Sequence, residues 1–154
     1  VLVGLGLCLA GDVLLIPRHR PAVFRAGVLA FLLGHVAYGL AFLRWPLSPG
    51  GLLAGGALLV AALWTTWRWL APRLPADMVV AVRAYLLVIG AMAILACGVS
   101  AAGGPWQIAA GALAFTASDV SVARDRFVRE DFVNRAWGLP LYYAAQVLLA
   151  LSVR

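Results

Sequence analysis

Charged residues are scarce in this sequence, and lysine is absent. Only 12% of the 154 residues are charged and 64% are hydrophobic, whereas a soluble domain is nearer half apolar and a quarter charged. The two histidines and two cysteines form no HxxxH, HExxH or cysteine-pair motif, so a zinc hydrolase fits poorly. No GxSxG motif marks a serine nucleophile. We therefore expect an integral membrane protein that uses no metal and no cofactor.

The positive charge comes entirely from arginine. Twelve arginines stand against six acidic residues, for a net charge of +6. In a soluble protein such a balance would suggest a nucleic-acid partner. Here the arginines fall in short connections between hydrophobic runs, which is the pattern that sets membrane topology. We expect the lipid bilayer, and no nucleic acid, as the partner.

Hydrophobic runs and prolines divide the chain into six predicted helices. They cover residues 1–16, 22–43, 51–71, 78–99, 105–123 and 135–153. The fold class is therefore an all-α, polytopic transmembrane bundle that forms a single domain over residues 1–154. The first run is shorter than the twenty or so residues that a membrane span needs. We therefore expect the natural chain to begin further upstream.

The arginines separate sharply when six helices are threaded through a bilayer. Ten fall on one side and two, Arg44 and Arg154, on the other. The ten are Arg18, Arg20, Arg25, Arg68, Arg73, Arg83, Arg124, Arg126, Arg129 and Arg135. Cytoplasmic loops carry an excess of basic residues. The sequence thus predicts that the arginine-rich side faces the cytoplasm, in a bacterial inner membrane.

Two aspartates, Asp12 and Asp119, lie inside predicted membrane helices. An ionisable residue costs roughly 2.5–3.5 kcal/mol at the bilayer centre, so it is a functional candidate by default. Asp12 precedes Pro17, and Asp119 precedes Arg124, by five residues. Each should therefore lie roughly 7–8 Å inside the cytoplasmic end of its helix. The matched depth predicts a catalytic pair of carboxyls in a pocket that opens toward the inner leaflet.

Other polar residues are predicted to reach the same pocket and to support it. They are His35, Tyr38, Arg83, Tyr85, Ser118, Tyr142 and Gln146. Structural roles stay open for several of them: Arg83 could snorkel at the interface, His35 could join two helices, and Tyr142 could belong to an aromatic belt. The segment RDRFVREDFVNR is interpreted as a solvated cytoplasmic loop.

At these residues the chain resembles the lysoplasmalogenase family, the YhhN-like membrane proteins. The resemblance is carried by GDVLLIP at 11–17, FRAGVLAFLLGHVAYGLAF at 24–42, GALAFTASDVSVARDRF at 111–127 and LYYAAQVLLALS at 141–152. It covers essentially the whole chain, and the order and spacing of these elements are specific in combination. It implies that about two more helices precede the first segment, which gives about eight in a full-length member.

The resemblance implies an ether-bond hydrolase that cleaves the vinyl ether of a lysoplasmalogen, a lysophospholipid, to a fatty aldehyde and a glycerophospho-alcohol. The family's paired acids map onto Asp12 and Asp119, and its histidine and tyrosine onto His35 and Tyr38. Protonating the outer alkene carbon creates an oxocarbenium ion, and water then adds. That reaction needs one carboxylic acid and one carboxylate, as in glycosidases. Either aspartate could be the acid, and the sequence favours Asp119 only slightly.

Two other classes of function remain open. In a small proton- or cation-coupled transporter the same aspartates would be ion sites, and polar residues should continue to the outer face. On the far side of Asp12 and Asp119 the helices offer almost only apolar residues. In a non-catalytic scaffold or lipid sensor, the acids would be structural. Replacing either aspartate by asparagine would then lower stability rather than abolish turnover.

Overall fold

Six α-helices form the fold in a computed structural model, which describes residues 1–17 and 20–153. The helices are α1 (Leu2–Leu15), α2 (Pro21–Phe42), α3 (Pro49–Leu70), α4 (Val79–Ala101), α5 (Trp106–Phe127) and α6 (Phe132–Leu151). Two single 3₁₀ turns, Ala71–Arg73 and Ala76–Met78, join α3 to α4. No strand occurs in the described ranges, and the predicted all-α class is confirmed.

The largest departure from the predicted boundaries concerns the segment between α5 and α6. Helix α5 continues to Phe127, and α6 begins at Phe132, so most of the segment interpreted as a loop is helical. The start of α6 has a local cause: the Asp131 side chain accepts a hydrogen bond of 2.9 Å from the Asn134 amide. An aspartate in this position satisfies a free amide of the first helical turn.

Helix α4 lies at the centre of the bundle, against α2, α3 and α5. Helix α1 packs on α2, and α6 packs on α5, while α1 and α6 barely touch. The Arg25–Asp77 ion pair of 2.7 Å joins the start of α2 to the α3–α4 connection. We call this side of the bundle, where α1, α3 and α5 end, the arginine-rich end. Arg18 and Arg154, assigned to opposite sides above, lie outside the described residues.

Three of the described helical stretches are long and apolar enough to cross a membrane. They are Pro21–Phe42, Pro49–Arg73 and Ala76–Ala101, and α1 is a shorter apolar helix. Helices α5 and α6 fall outside this group. Both carry charged and amide side chains, among them Asp119, Arg124 and Asn134, that lower their apolar content. Together the apolar helices characterise an integral membrane protein.

Glycines allow α1 to approach α2 closely. A Cβ added to Gly4 would lie 2.6 Å from the Tyr38 ring, and one added to Gly11 would lie 2.6 Å from the Phe31 ring. Both distances are shorter than real contacts, so neither glycine tolerates a side chain without a shift. Small residues of this kind let membrane helices pack by close contact. The contact seats the residue after Gly11, Asp12, beside the aromatic face of α2.

Candidate active site

A single cavity of about 1070 Å³ receives both aspartates. All six helices contribute to its lining, with Asp12 from α1 and Asp119 from α5. Its walls are mainly Val, Leu, Ile and Phe side chains. A large apolar cavity with a few convergent polar groups is typical of small-molecule and lipid sites. We call it the central cavity.

Asp12 is tied to α6 and, through it, to α2 by a chain of hydrogen bonds. The Tyr142 hydroxyl donates to Asp12 Oδ2 over 2.6 Å and accepts a hydrogen bond from Gln146 Nε2 over 2.8 Å. Gln146 Oε1 in turn accepts from the Tyr38 hydroxyl over 2.9 Å. Every donor in this series of hydrogen bonds points toward Asp12. The chain therefore orients the Asp12 carboxyl and bridges α1 to α6, whose backbones barely meet.

Asp119 has its own tyrosine. The Tyr85 hydroxyl on α4 donates to Asp119 Oδ2 over 2.7 Å, and the Asp119 side chain is only 18% exposed. The two aspartates thus have the same arrangement: each accepts a short hydrogen bond from a tyrosine of a different helix.

His35 on α2 directs one ring nitrogen at Asp119. Its Nδ1 lies 2.6 Å from the Phe31 carbonyl oxygen, and because a carbonyl only accepts, Nδ1 carries the proton. In the neutral ring Nε2 is then an acceptor. Nε2 is buried without a hydrogen-bond partner among the described residues and lies 3.9 Å from Asp119 Oδ2. A partnerless buried polar atom is uncommon, and this one faces the carboxyl.

The other predicted supporting residues differ in what they contact. Tyr38 and Gln146 belong to the hydrogen-bond chain, while Ser118 is buried with its hydroxyl bonded to the Phe115 carbonyl of its own helix. Of the seven predicted supporting residues only Tyr85 and Tyr142 line the central cavity, and Arg83 is exposed. Residues two apart on a helix point about 200° apart, so Tyr85 faces the cavity and Arg83 faces away.

Sequence reasoning missed the polar residues at the arginine-rich end of the central cavity. Three arginines line it there: Arg126, Arg129 and Arg135. Arg126 follows Asp119, and Arg135 precedes Tyr142, by seven residues. Because seven residues make nearly two full helical turns, each pair shares one face of its helix. The spacing of Arg135 and Tyr142 was visible within the predicted helix 135–153, whereas Arg126 fell in the segment that was interpreted as a loop.

Buried Asn134 joins the end of α5 to the start of α6 close to these arginines in the sequence. Its Oδ1 accepts from Arg124 Nη1 over 2.5 Å, and its Nδ2 donates to the Arg129 carbonyl over 2.6 Å. Ser121 donates to the Asn134 carbonyl over 2.5 Å. A fully bonded buried amide of this kind rigidifies its surroundings. It holds the two helices that carry Asp119 and Tyr142 in register.

The arrangement can perform acid–base chemistry on an apolar molecule. It offers two carboxyls and two tyrosine residues that line one cavity, and one imidazole nitrogen 3.9 Å from the Asp119 carboxyl. These are among the groups that general acid–base catalysis uses most. Within residues 1–17 and 20–153, no three His, Cys, Asp or Glu side chains are grouped so that they could hold a metal ion.

Comparison with known proteins gives one family and a consistent set of relatives. The model of the YhhN family matches residues 1–153. "Lysoplasmalogenase TMEM86A" of Bos taurus is 35% identical over 99% of this chain and 64% of its own length. "Lysoplasmalogenase TMEM86B" of Sus scrofa is 38% identical over 96% of the chain and 60% of its own length. The chain thus spans less than two thirds of either relative. No solved structure matches it significantly.

Proposed function

The chain belongs to the YhhN family, and from that membership we propose that it acts as a membrane hydrolase on the vinyl ether bond of lysoplasmalogens or a related ether lysolipid. The relatives it matches are named lysoplasmalogenases. The substrate would be a lysophospholipid taken from the bilayer, and the products a fatty aldehyde and a glycerophospho-alcohol.

One observation carries the proposal: two aspartates from helices far apart in sequence line one apolar cavity, each bonded to a tyrosine. A vinyl ether needs a proton donor and an anion near the developing cation. It needs no metal and no nucleophilic serine. Apolar walls suit the hydrocarbon chain, and the carboxyls would meet the vinyl ether.

We assign the proton to Asp119 in the resting site. With Nδ1 of His35 donating to the Phe31 carbonyl, Nε2 can only accept a hydrogen bond in the neutral ring. A protonated Asp119 could supply that bond after a small movement from 3.9 Å. Asp12, which ends a chain of donors directed at it, is assigned as the carboxylate.

The reaction follows from these two assignments. Asp119 protonates the outer alkene carbon. The π electrons of the double bond form the new C–H bond, and the positive charge spreads over the inner carbon and the ether oxygen. The Asp12 carboxylate stabilises this oxocarbenium ion and takes a proton from the water that attacks its carbon. As the carbon–oxygen bond of the resulting hemiacetal breaks, Asp12 gives the proton it took from water to the leaving glycerol oxygen, and the Asp119 carboxylate takes the proton of the hemiacetal hydroxyl. The products are an aldehyde and an alcohol, and both aspartates return to their starting protonation states.

The membrane orientation forms part of the proposal. The arginine-rich end is proposed to face the cytoplasm of a bacterial inner membrane, because basic residues are retained on that side. The central cavity would then open to lysolipids of the inner leaflet.

Aldehyde release from a synthetic lysoplasmalogen, by the full-length protein in detergent, tests the function. We expect the wild type to release aldehyde, and Asp12→Asn and Asp119→Asn to lose turnover while they remain folded. Asp77→Asn is the matched control, because Asp77 is exposed and pairs with Arg25 on the surface. An exposed pair contributes about 1 kcal/mol or less, so this variant should keep wild-type activity.

Two results would overturn the proposal in different ways. Full activity in either Asp12→Asn or Asp119→Asn would disprove the paired-acid mechanism but leave the substrate in place. No aldehyde from folded wild type would disprove hydrolysis of lysoplasmalogen and leave two explanations, a different ether lysolipid or the transporter hypothesis. That hypothesis predicts proton or cation flux in liposomes that Asp119→Asn abolishes.

A further inference from the structure

Two arginines at the arginine-rich end of the central cavity lie at helical spacing from the aspartate site. We propose that Arg126 and Arg135 bind the phosphodiester of the lysolipid head group and so set the depth at which its vinyl ether meets Asp12 and Asp119. The inference rests on the proposed function, because it names the part of the same substrate that these residues hold.

Helix geometry supports the placement. Arg126 lies seven residues beyond Asp119 on α5, and Arg135 lies seven residues before Tyr142, the partner of Asp12, on α6. Seven residues rise about 10 Å and return to nearly the same face. Both arginines line the cavity that holds the aspartates. Each wall of the cavity thus carries a guanidinium at the same distance from the acid–base centre.

The distance matches the substrate. Seven bonds separate the outer alkene carbon of a lysoplasmalogen from its phosphorus. An extended chain covers three bonds in about 3.5 Å, so the two atoms lie about 8 Å apart. With the phosphate between the arginines, the alkene carbon reaches the level of the aspartates. The hydrocarbon chain then extends along the apolar walls beyond them.

The local environment also suits a phosphodiester. The Arg126 guanidinium carbon lies 4.2 Å from the centre of the Phe24 ring, and such stacking holds the planar group in a defined orientation. Arginine binds phosphate through two parallel hydrogen bonds. Asp125 and Glu130 line the same end of the cavity. The mixed signs favour a zwitterionic head group, such as phosphoethanolamine, over a purely anionic one.

Two substrates that differ only in the phosphate test the proposal. The first is lysoplasmalogen with a phosphoethanolamine head group, and the second is 1-O-alkenylglycerol, which lacks the phosphate. We expect Arg126→Gln and Arg135→Gln each to raise KM for the first about tenfold, the effect of one hydrogen bond to a charged group, with kcat within twofold. Kinetics on alkenylglycerol should not change. Arg73→Gln is the control, since Arg73 is exposed, contacts Trp69 and does not line the cavity.

Binding of a saturated 1-O-alkyl lysophosphatidylethanolamine separates this inference from the proposed function, because that ether cannot react. The arginine variants should bind it about tenfold more weakly than wild type, while their binding of 1-O-alkylglycerol stays the same. This result would support the head-group site even if wild type released no aldehyde. Equal losses on both lipids, or no loss on either, would overturn it. Competition by free glycerophosphoethanolamine as strong as by the lysolipid would also overturn it, since the site would then hold a soluble phosphodiester.

Discussion

Replacing Tyr142 by phenylalanine should separate catalysis from folding at the Asp12 site. The substitution removes one oxygen, which donates to Asp12 over 2.6 Å and accepts from Gln146 over 2.8 Å. The ring is 8% exposed and packs edge-on against Phe31 and Phe115, and phenylalanine keeps that packing. Only the hydrogen bonds should change.

The expected size of the effect follows from these two bonds. A hydrogen bond to a charged group contributes about 1.5–3 kcal/mol, and about 1.4 kcal/mol corresponds to a factor of ten in rate. We therefore expect kcat to fall about 10- to 100-fold, with KM within threefold, because Tyr142 orients the carboxylate rather than holds the lipid. Hydrogen bonds between membrane helices contribute about 0.6 kcal/mol on average, so the loss of stability should be small.

The assay is aldehyde release at several lysoplasmalogen concentrations, together with a melting curve in detergent. Tyr143→Phe is the matched control, since it removes the same atom from the next residue, which is 61% exposed. An unchanged kcat with a lowered melting temperature would refute the reasoning. The hydrogen-bond chain would then be purely structural.

Three further predictions follow from other parts of the bundle. His35→Phe keeps an aromatic ring but removes the acceptor aimed at Asp119, so kcat should fall about tenfold; an unchanged kcat would remove His35 from the site. Gly11→Ala should destabilise the fold by about 1–3 kcal/mol, because its Cβ would lie 2.6 Å from an aromatic ring of α2, whereas Gly6→Ala meets nothing within 4 Å and should melt like wild type; equal melting of the two variants would contradict the packing argument. A membrane-impermeant maleimide should label Arg44→Cys in intact spheroplasts and Arg73→Cys only after lysis, and the reverse pattern would invert the proposed orientation.

Part of the site could have been predicted more sharply from the sequence. Arg83 and Tyr85 were both assigned to the pocket, although residues two apart on a helix point about 200° apart. Only Tyr85 meets Asp119. Conversely, Arg126 and Arg135 repeat the positions of Asp119 and Tyr142 at helical spacing. Arg126 was overlooked because the charged segment between α5 and α6 was interpreted as a loop.

The sequence by itself determined the helices and the position of each aspartate along its helix. Hydropathy, proline and arginine positions act locally, so they mark where apolar helices begin and end, and a constant rise per residue then sets depth along each one. The start of α6 at Phe132 was missed because its aspartate cap lies in a charged segment that was interpreted as a loop.

Only the tertiary structure decided which helices meet. The partner of Asp12 is Tyr142, 130 residues away, and the partner of Asp119 is Tyr85, 34 residues away. In a membrane nearly every apolar face can pack against another, because lipid and leucine are equally apolar and no hydrophobic gain selects the pairing. The choice depends on shape, such as glycines that admit aromatic rings, and on polar groups that find partners. Shape and polar partners are properties of pairs of helices, and the sequence of a single helix does not reveal them.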